Sequence, residues 1–89
     1  MEEVWIVFSV RTNHDDTYGE DTVRETETFR RVYETLVDAK LYVKDAIGSK
    51  TPGIMEHTDP WTGEVTYTGK INPHNGIETL ARIRKVRVN

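Results

Sequence analysis

Residues 30–43, RRVYETLVDAKLYV, begin with the alternation of a β-strand and end with the periodicity of an α-helix. The change comes after Tyr33, where the apolar period lengthens from two residues to about 3.6. The new period places five apolar residues on one helical face: Leu36, Ala39, Val43, Ala46 and Ile47. The Thr35 hydroxyl stands where it can accept a hydrogen bond from a backbone N–H of the first turn. The stretch therefore predicts a strand-to-helix junction, with a helix over residues 36–47.

Two strand patterns precede this helix. Residues 4–10, VWIVFSV, place apolar side chains on both faces, which predicts a central strand covered on both sides. Residues 22–33 alternate as a strand with one solvated face does. The polar residues between these strands predict an exposed loop over positions 11–22.

After the helix, residues 48–63 hold three glycines and two prolines, which predicts a long loop or flap. Residues 64–71 and 80–88 alternate as strands, and a slip in the phase of the last one predicts a β-bulge near Arg84 and Lys85. The order is β-β-α-β-β. We therefore expect one α+β domain over residues 1–89, with one helix on one face of a mainly antiparallel sheet of about four strands.

Composition limits the functional classes. The chain has no cysteine, which excludes a disulfide framework and thiol catalysis and favours a reducing, cytoplasmic location. No apolar run approaches the roughly 20 residues that span a bilayer, and an acidic N-terminus is unlike a signal peptide. Fifteen acidic against twelve basic residues give a net charge of −3, which implies no strong preference for nucleic acid or membrane.

The junction also resembles a known kind of domain. A strand of the VWIVFSV type, a polar and acidic turn, a second strand ending in RVYET and a helix with LVDAKLYV are similar to small domains of unknown function found in bacteriophages, prophages and their hosts. The likeness covers roughly residues 4–47, and the closing IRKVRVN resembles the last strand of those domains. The resemblance implies this fold and a phage or mobile-element setting, and it brings no catalytic residues.

The sequence gives little support to catalysis. The acidic segment HDDTYGED, residues 14–21, lacks the alternating acids of a calcium loop, and the three histidines have no zinc-ligand spacing. Glu56, His57 and Asp59 form the one local cluster suited to general acid–base work, but no nucleophile motif or phosphate loop accompanies it. We therefore expect no enzymatic activity, no cofactor and no metal site.

Two segments carry the features of a protein-binding surface. Trp61 lies in DPWTG, a turn sequence, where an exposed aromatic can anchor an interface; folding back onto the core is the equal alternative. Ile54 and Met55 are expected to pin the segment that carries Trp61 to the core. The acidic loop adds four carboxylates that could contact a basic partner: Asp15, Asp16, Glu20 and Asp21.

The sequence thus favours a small, non-catalytic binding module whose partner is a host protein, with inhibition or an anti-defence role as the expected outcome. The alternative is phosphate, nucleotide or nucleic-acid binding through an arginine-bearing strand that holds Arg82, Arg84 and Arg87. Nucleic acid is the less favoured partner, a membrane is not expected, and homodimerisation stays open.

Overall fold

The computed structural model describes residues 2–15, 22–48, 51, 53–70 and 76–88, and four of them, His14, Asp15, Thr22 and Val23, by their backbone alone. The described residues form β1 (Glu2–Asp15), β2 (Thr22–Tyr33), α1 (Leu36–Ile47), β3 (Met55–Thr58), β4 (Val65–Gly69) and β5 (Glu78–Val88). The α+β class is confirmed. The sheet has five strands, so the prediction of about four strands in the order β-β-α-β-β is only roughly right.

All five strands form one antiparallel sheet in the order β2-β1-β5-β4-β3. β1 is an interior strand, because Trp5 lies opposite Tyr33 of β2 and also opposite Lys85 of β5. The pairing of β1 with β2 continues to Asp15, past the last residue of β1 that pairs with β5, Ser9. The two long strands therefore extend as a two-stranded arm. The exposed loop predicted from residue 11 is wrong at its start, since β1 continues through Asp15.

β3 lies within the segment that the sequence predicted to be a loop. Its four residues are all exposed, and Met55 is the one apolar residue among them. A strand at the sheet edge needs no apolar alternation when its backbone pairs with a neighbour on one side. The composition of residues 48–63 therefore hid a strand that the pairing with β4 defines.

The predicted bulge near Arg84 and Lys85 is wrong. The register of β5 with β1 is continuous there, and the bulge lies further up the strand. Tyr67 is opposite Ala81 and Thr68 is opposite Thr79, so Leu80 is the extra residue. Leu80 and Ala81 are both buried, as two neighbours at a bulge can be. Ile83 and Val86 differ in apolar phase because, in a continuous register, they face opposite sides of the sheet.

β2 has a second irregularity that shifts its side-chain phase. Val7 lies opposite Arg31, whereas Phe8 lies opposite Phe29, so Arg30 is the extra residue. Because side chains alternate along a strand, the alternation predicted for residues 22–33 does not hold through this point. Phe29 lies on one face of the sheet, and Arg31 lies on the other.

α1 covers one face of the sheet, and its predicted bounds are confirmed. The Thr35 hydroxyl accepts a hydrogen bond from the backbone N–H of Asp38 at 3.3 Å, as an N-cap does. Ala39 and Val43 are buried against the sheet. The core they join also contains five sheet residues: Val7, Val65, Tyr67, Ala81 and Ile83.

The opposite face of the sheet, called the open face below, has no described helix over it. Phe8 and Arg82 lie on this face, since they are paired residues one position away from the buried pair Val7 and Ile83. Within the described residues no helix or second sheet covers β1 on this side, which differs from the prediction of cover on both sides. Charged side chains cover the open face instead.

Candidate functional site

The turn between β3 and β4 is held by its own hydrogen bonds. Oδ1 of Asp59 accepts from the backbone N–H of Trp61 at 2.7 Å and from that of Thr62 at 3.2 Å. The backbone N–H of Asp59 donates to the Glu64 carbonyl at 2.8 Å, and the N–H of Gly63 donates to the Asp59 carbonyl at 2.9 Å. Gly63 has φ of 75°, a conformation that favours glycine. This network fixes the backbone of the turn, called the Trp61 turn below.

Trp61 projects from this turn into solvent. Its side chain is 93% exposed, whereas Trp5, the other tryptophan, packs against the core. The sequence left two positions open for Trp61, an exposed anchor or a place on the core, and the structure has it exposed. Large apolar side chains on a rigid, exposed turn are typical of interface anchors.

Ile54 and Met55 differ in their surroundings. Ile54 is half-buried and packs against the core, as predicted. Met55 is 48% exposed, so it does not pin the segment to the core. Met55 begins β3 and the Trp61 turn follows its end, so about 10 Å of strand separates them. Trp61 and Met55 are therefore exposed apolar residues at opposite ends of one short edge strand.

The carboxylates predicted to contact a basic partner lie outside the described residues, apart from the backbone of Asp15. Asp15 ends β1 and its side chain is outside the described residues, as are Asp16, Glu20 and Asp21 altogether. The Trp61 turn leads into Val65, which lies opposite Ile83 of β5. β1 reaches Ala81 of β5 at Ser9 and continues from there to Asp15, away from Ile83. The base of the acidic segment and the Trp61 turn therefore stand at opposite ends of the sheet. They do not form one continuous surface.

A charged cluster covers the open face, and we define it by Glu25, Glu27, Glu64, Arg82 and Arg84. The Arg82 guanidinium donates to Glu25 at 2.7 Å and to Glu27 at 2.8 Å. The Arg84 guanidinium donates to Glu27 and to Glu64, each at 3.1 Å. The bonds to Glu25 and Glu27 pass over β1 and join β5 to β2, and the bond to Glu64 joins β5 to the residue that precedes β4. The cluster therefore holds the strands together from the side that α1 does not cover.

The pKa values of Glu27 and Arg84 are shifted by the hydrogen bonds of this cluster. Partial burial by itself would raise the pKa of Glu27, but the hydrogen bonds from Arg82 and Arg84 lower it below its usual value. The hydrogen bond to Glu64 is the main cause that raises the pKa of Arg84. The guanidinium of Arg84 also lies 4.8 Å from the centre of the Phe8 ring, which it shields from water.

The ion pairs of these arginines affect the alternative prediction that Arg82, Arg84 and Arg87 bind phosphate. Arg82 and Arg84 are each held by two carboxylates, and the cluster contains three carboxylates for two guanidiniums. Arg87 is more exposed and lies 3.8 Å from Glu3. A phosphate would have to compete with carboxylates at Arg82 and Arg84, whereas Arg87 is only loosely paired. The geometry therefore gives the phosphate-binding alternative little support.

The residues considered for acid–base work are separated in the structure. The carboxylate of Glu56 accepts a hydrogen bond of 2.6 Å from the Tyr67 hydroxyl, on the side of the sheet that α1 covers. His57 points to the other side, and Asp59 belongs to the Trp61 turn. Burial and the bond to Glu56 raise the pKa of Tyr67, so this phenol keeps its proton near neutral pH. The bond fastens β3 to β4.

The described residues contain no group of three or more metal-ligating side chains that could hold an ion. No helix in this part of the chain is long and apolar enough to cross a membrane. No protein-family model, curated protein or solved structure matches the sequence. The resemblance to the phage-associated domains therefore stays a prediction.

Proposed function

We propose that this chain is a non-catalytic protein-binding module that anchors its partner through Trp61. The observation that carries the proposal is the 93% exposure of Trp61 on a turn held by backbone and side-chain hydrogen bonds. Burial of a tryptophan side chain removes about 200 Å² from water, which corresponds to roughly 5 kcal/mol before the costs of association. Because the turn is already ordered, little conformational entropy is lost when Trp61 binds.

The side chains of the turn indicate what kind of surface the partner presents to Trp61. Asp59 is engaged inside the turn, and Glu64 is engaged by Arg84, so neither carboxylate is free to dominate the contact. The matching surface is an apolar slot on a folded protein that accepts one indole ring. In the phage setting that the resemblance implies, the partner would be a host protein, and occupying its slot would inhibit it.

The test compares Trp61→Ala with Val37→Ala, which truncates another exposed apolar residue on α1, away from the Trp61 turn. Tagged chains would be used to capture partners from a bacterial lysate, and the affinity of the captured protein would then be measured by calorimetry. We expect Trp61→Ala to weaken binding about 30-fold or more, as the loss of a central anchor does, while Val37→Ala binds normally.

A spectroscopic readout checks the contact directly. In Trp5→Phe, Trp61 is the sole tryptophan, and its emission should shift to shorter wavelength when the partner covers it. A captured protein that binds Trp61→Ala as tightly as the native chain, or that leaves the Trp61 emission unchanged, would refute the proposal. Circular dichroism of each variant separates loss of binding from loss of folding.

A further inference from the structure

A cleft of about 200 Å³ opens between the C-terminal half of α1 and the face of the sheet beneath it. Its apolar wall is formed by residues of α1, β1 and β5: Val7, Val43, Ala46, Ile47, Leu80 and Ala81. An apolar protein cavity of about 150 Å³ holds a benzene molecule, and drug-sized ligands need roughly 300 Å³ or more. The cleft therefore suits an apolar body of about six to eight carbons.

The polar part of the lining is formed by Ser9 and Arg30. Nε of Arg30 donates to the Ser9 hydroxyl at 2.9 Å, and this bond holds the guanidinium in place. In contrast to Arg82 and Arg84, Arg30 forms no ion pair with a carboxylate of the described chain. Its terminal N–H groups are therefore available to an anion from outside.

A second cation stands beside the same cleft. The guanidinium of Arg31 lies 5.4 Å from the centre of the Tyr42 ring, and Tyr42 lines the cleft. The last turn of α1, the negative end of the helix dipole, also lines the cleft, so the two arginines must outweigh it for an anion to bind. The arginines place positive charge beside an apolar wall.

We propose that this cleft binds a small carboxylate with an apolar body, in the size range of benzoate and hexanoate. The body would lie against Val43 and Leu80, and the carboxylate would accept hydrogen bonds from the terminal N–H groups of Arg30, which present a planar fork that suits it. The cleft is on the helix-covered side of the sheet and does not include the Trp61 turn. The inference therefore does not rest on the proposed protein partner.

The test is a titration of the full native chain followed by amide chemical shifts in two-dimensional NMR. Benzoate and hexanoate are the probes, and benzyl alcohol and hexanol are their uncharged counterparts. We expect saturable shifts at the amides of Val43, Ala46 and Leu80 with at least one carboxylate, and about tenfold weaker binding of the matching alcohol. Comparison of the two carboxylates shows whether a ring or a chain fits better.

Two variants locate the site. Arg30→Gln removes the charge and should weaken carboxylate binding about tenfold while the alcohol binds unchanged. Ala46→Leu fills the cleft from an exposed helical position, where leucine is a good helix former, and should abolish saturable binding of both. The absence of saturable shifts with both carboxylates would overturn the proposal. It would also be overturned if the alcohol bound as well as the acid, or if either variant bound like the native chain.

Discussion

Glu27 is the central carboxylate of the charged cluster, and Glu27→Gln tests what the cluster contributes. Its Oε1 accepts from Arg82 at 2.8 Å and from Arg84 at 3.1 Å, whereas the carboxylate of Glu25 accepts from Arg82 alone. Glutamine keeps the shape of the side chain but removes its charge, and its NH₂ group cannot accept from a guanidinium. The substitution therefore weakens two ion pairs at once without opening a cavity.

The expected loss follows from the number of pairs and their exposure. Exposed ion pairs contribute about 0.2–1 kcal/mol each, and hydrogen bonds to charged groups contribute more when they are shielded from water. The side chains of Arg82 and Glu27 are 21% and 27% exposed, so the pairs are only partly shielded. We expect Glu27→Gln to lower the free energy of unfolding by about 1–2 kcal/mol. Glu25→Gln, the matched control with one pair, should lower it by about half as much.

The pH dependence gives an independent check. The pKa of Glu27 is lower in the folded chain than in the unfolded chain, so its contribution is fully present above the unfolded value of about 4.3. The contribution is lost as the pH falls through the lower, folded pKa. The difference in unfolding free energy between Glu27→Gln and the native chain should therefore be largest near neutral pH and shrink in acid. About 1 M NaCl should also reduce it.

Urea unfolding followed by circular dichroism measures all three variants at each pH. Three results would contradict this account of the open face. The first is a Glu27→Gln variant as stable as the native chain, and the second is a Glu25→Gln variant that loses more. The third is a difference that persists unchanged in acid, which would mean that the glutamine perturbs packing and not charge.

Three further substitutions test the local structure. A Cβ on Gly69 would lie 2.9 Å from Cδ1 of the buried Leu80, so Gly69→Ala should lower the free energy of unfolding by about 1–2 kcal/mol; an unchanged melting temperature would contradict this. Thr35→Ala removes the N-cap of α1 and should cost about 1 kcal/mol in urea unfolding, whereas Thr35→Ser should restore most of the loss. Asp59→Ala removes the two side-chain bonds of the Trp61 turn, and faster hydrogen exchange at the amides of residues 61 and 62 should follow; unchanged exchange would show that the backbone bonds alone hold the turn.

The sequence predicted α1 well because two independent local signals agree there. The apolar period begins directly after Thr35, and the same residue supplies the cap, so both the start and the buried face could be inferred. The bulge at Leu80 could not be located in this way. The slip in apolar phase between Ile83 and Val86 arises because these residues face opposite sides of the sheet, and only the pairing with β4 shows that the extra residue is Leu80.

The sequence predicted which residues belong to the candidate site but not how they are arranged. The turn sequence DPWTG identified Trp61 as a candidate. Whether Trp61 is exposed depends on the direction in which its side chain leaves the turn, and a local sequence pattern does not specify that direction. The sequence also grouped Trp61 with the acidic segment that begins where β1 ends, and the strand order puts that end of β1 at the other end of the sheet from the Trp61 turn. The pairing of Arg82 with Glu25 and Glu27 joins residues more than fifty positions apart, so sequence proximity gave no sign of it.

The fold accounts for the different surroundings of Arg84 and Trp61. One helix covers only one face of a five-stranded sheet, so the Phe8 ring on the other face needs shielding from water. The long side chain of Arg84 provides that cover, and carboxylates hold it in place, so this arginine has a structural role that opposes its use for a phosphate. Trp61, in contrast, is 93% exposed and is not part of the core cluster of the described residues. Its turn is nevertheless fixed by hydrogen bonds to Asp59. An ordered turn that presents a large apolar side chain to solvent is the observation on which the proposed protein partner rests.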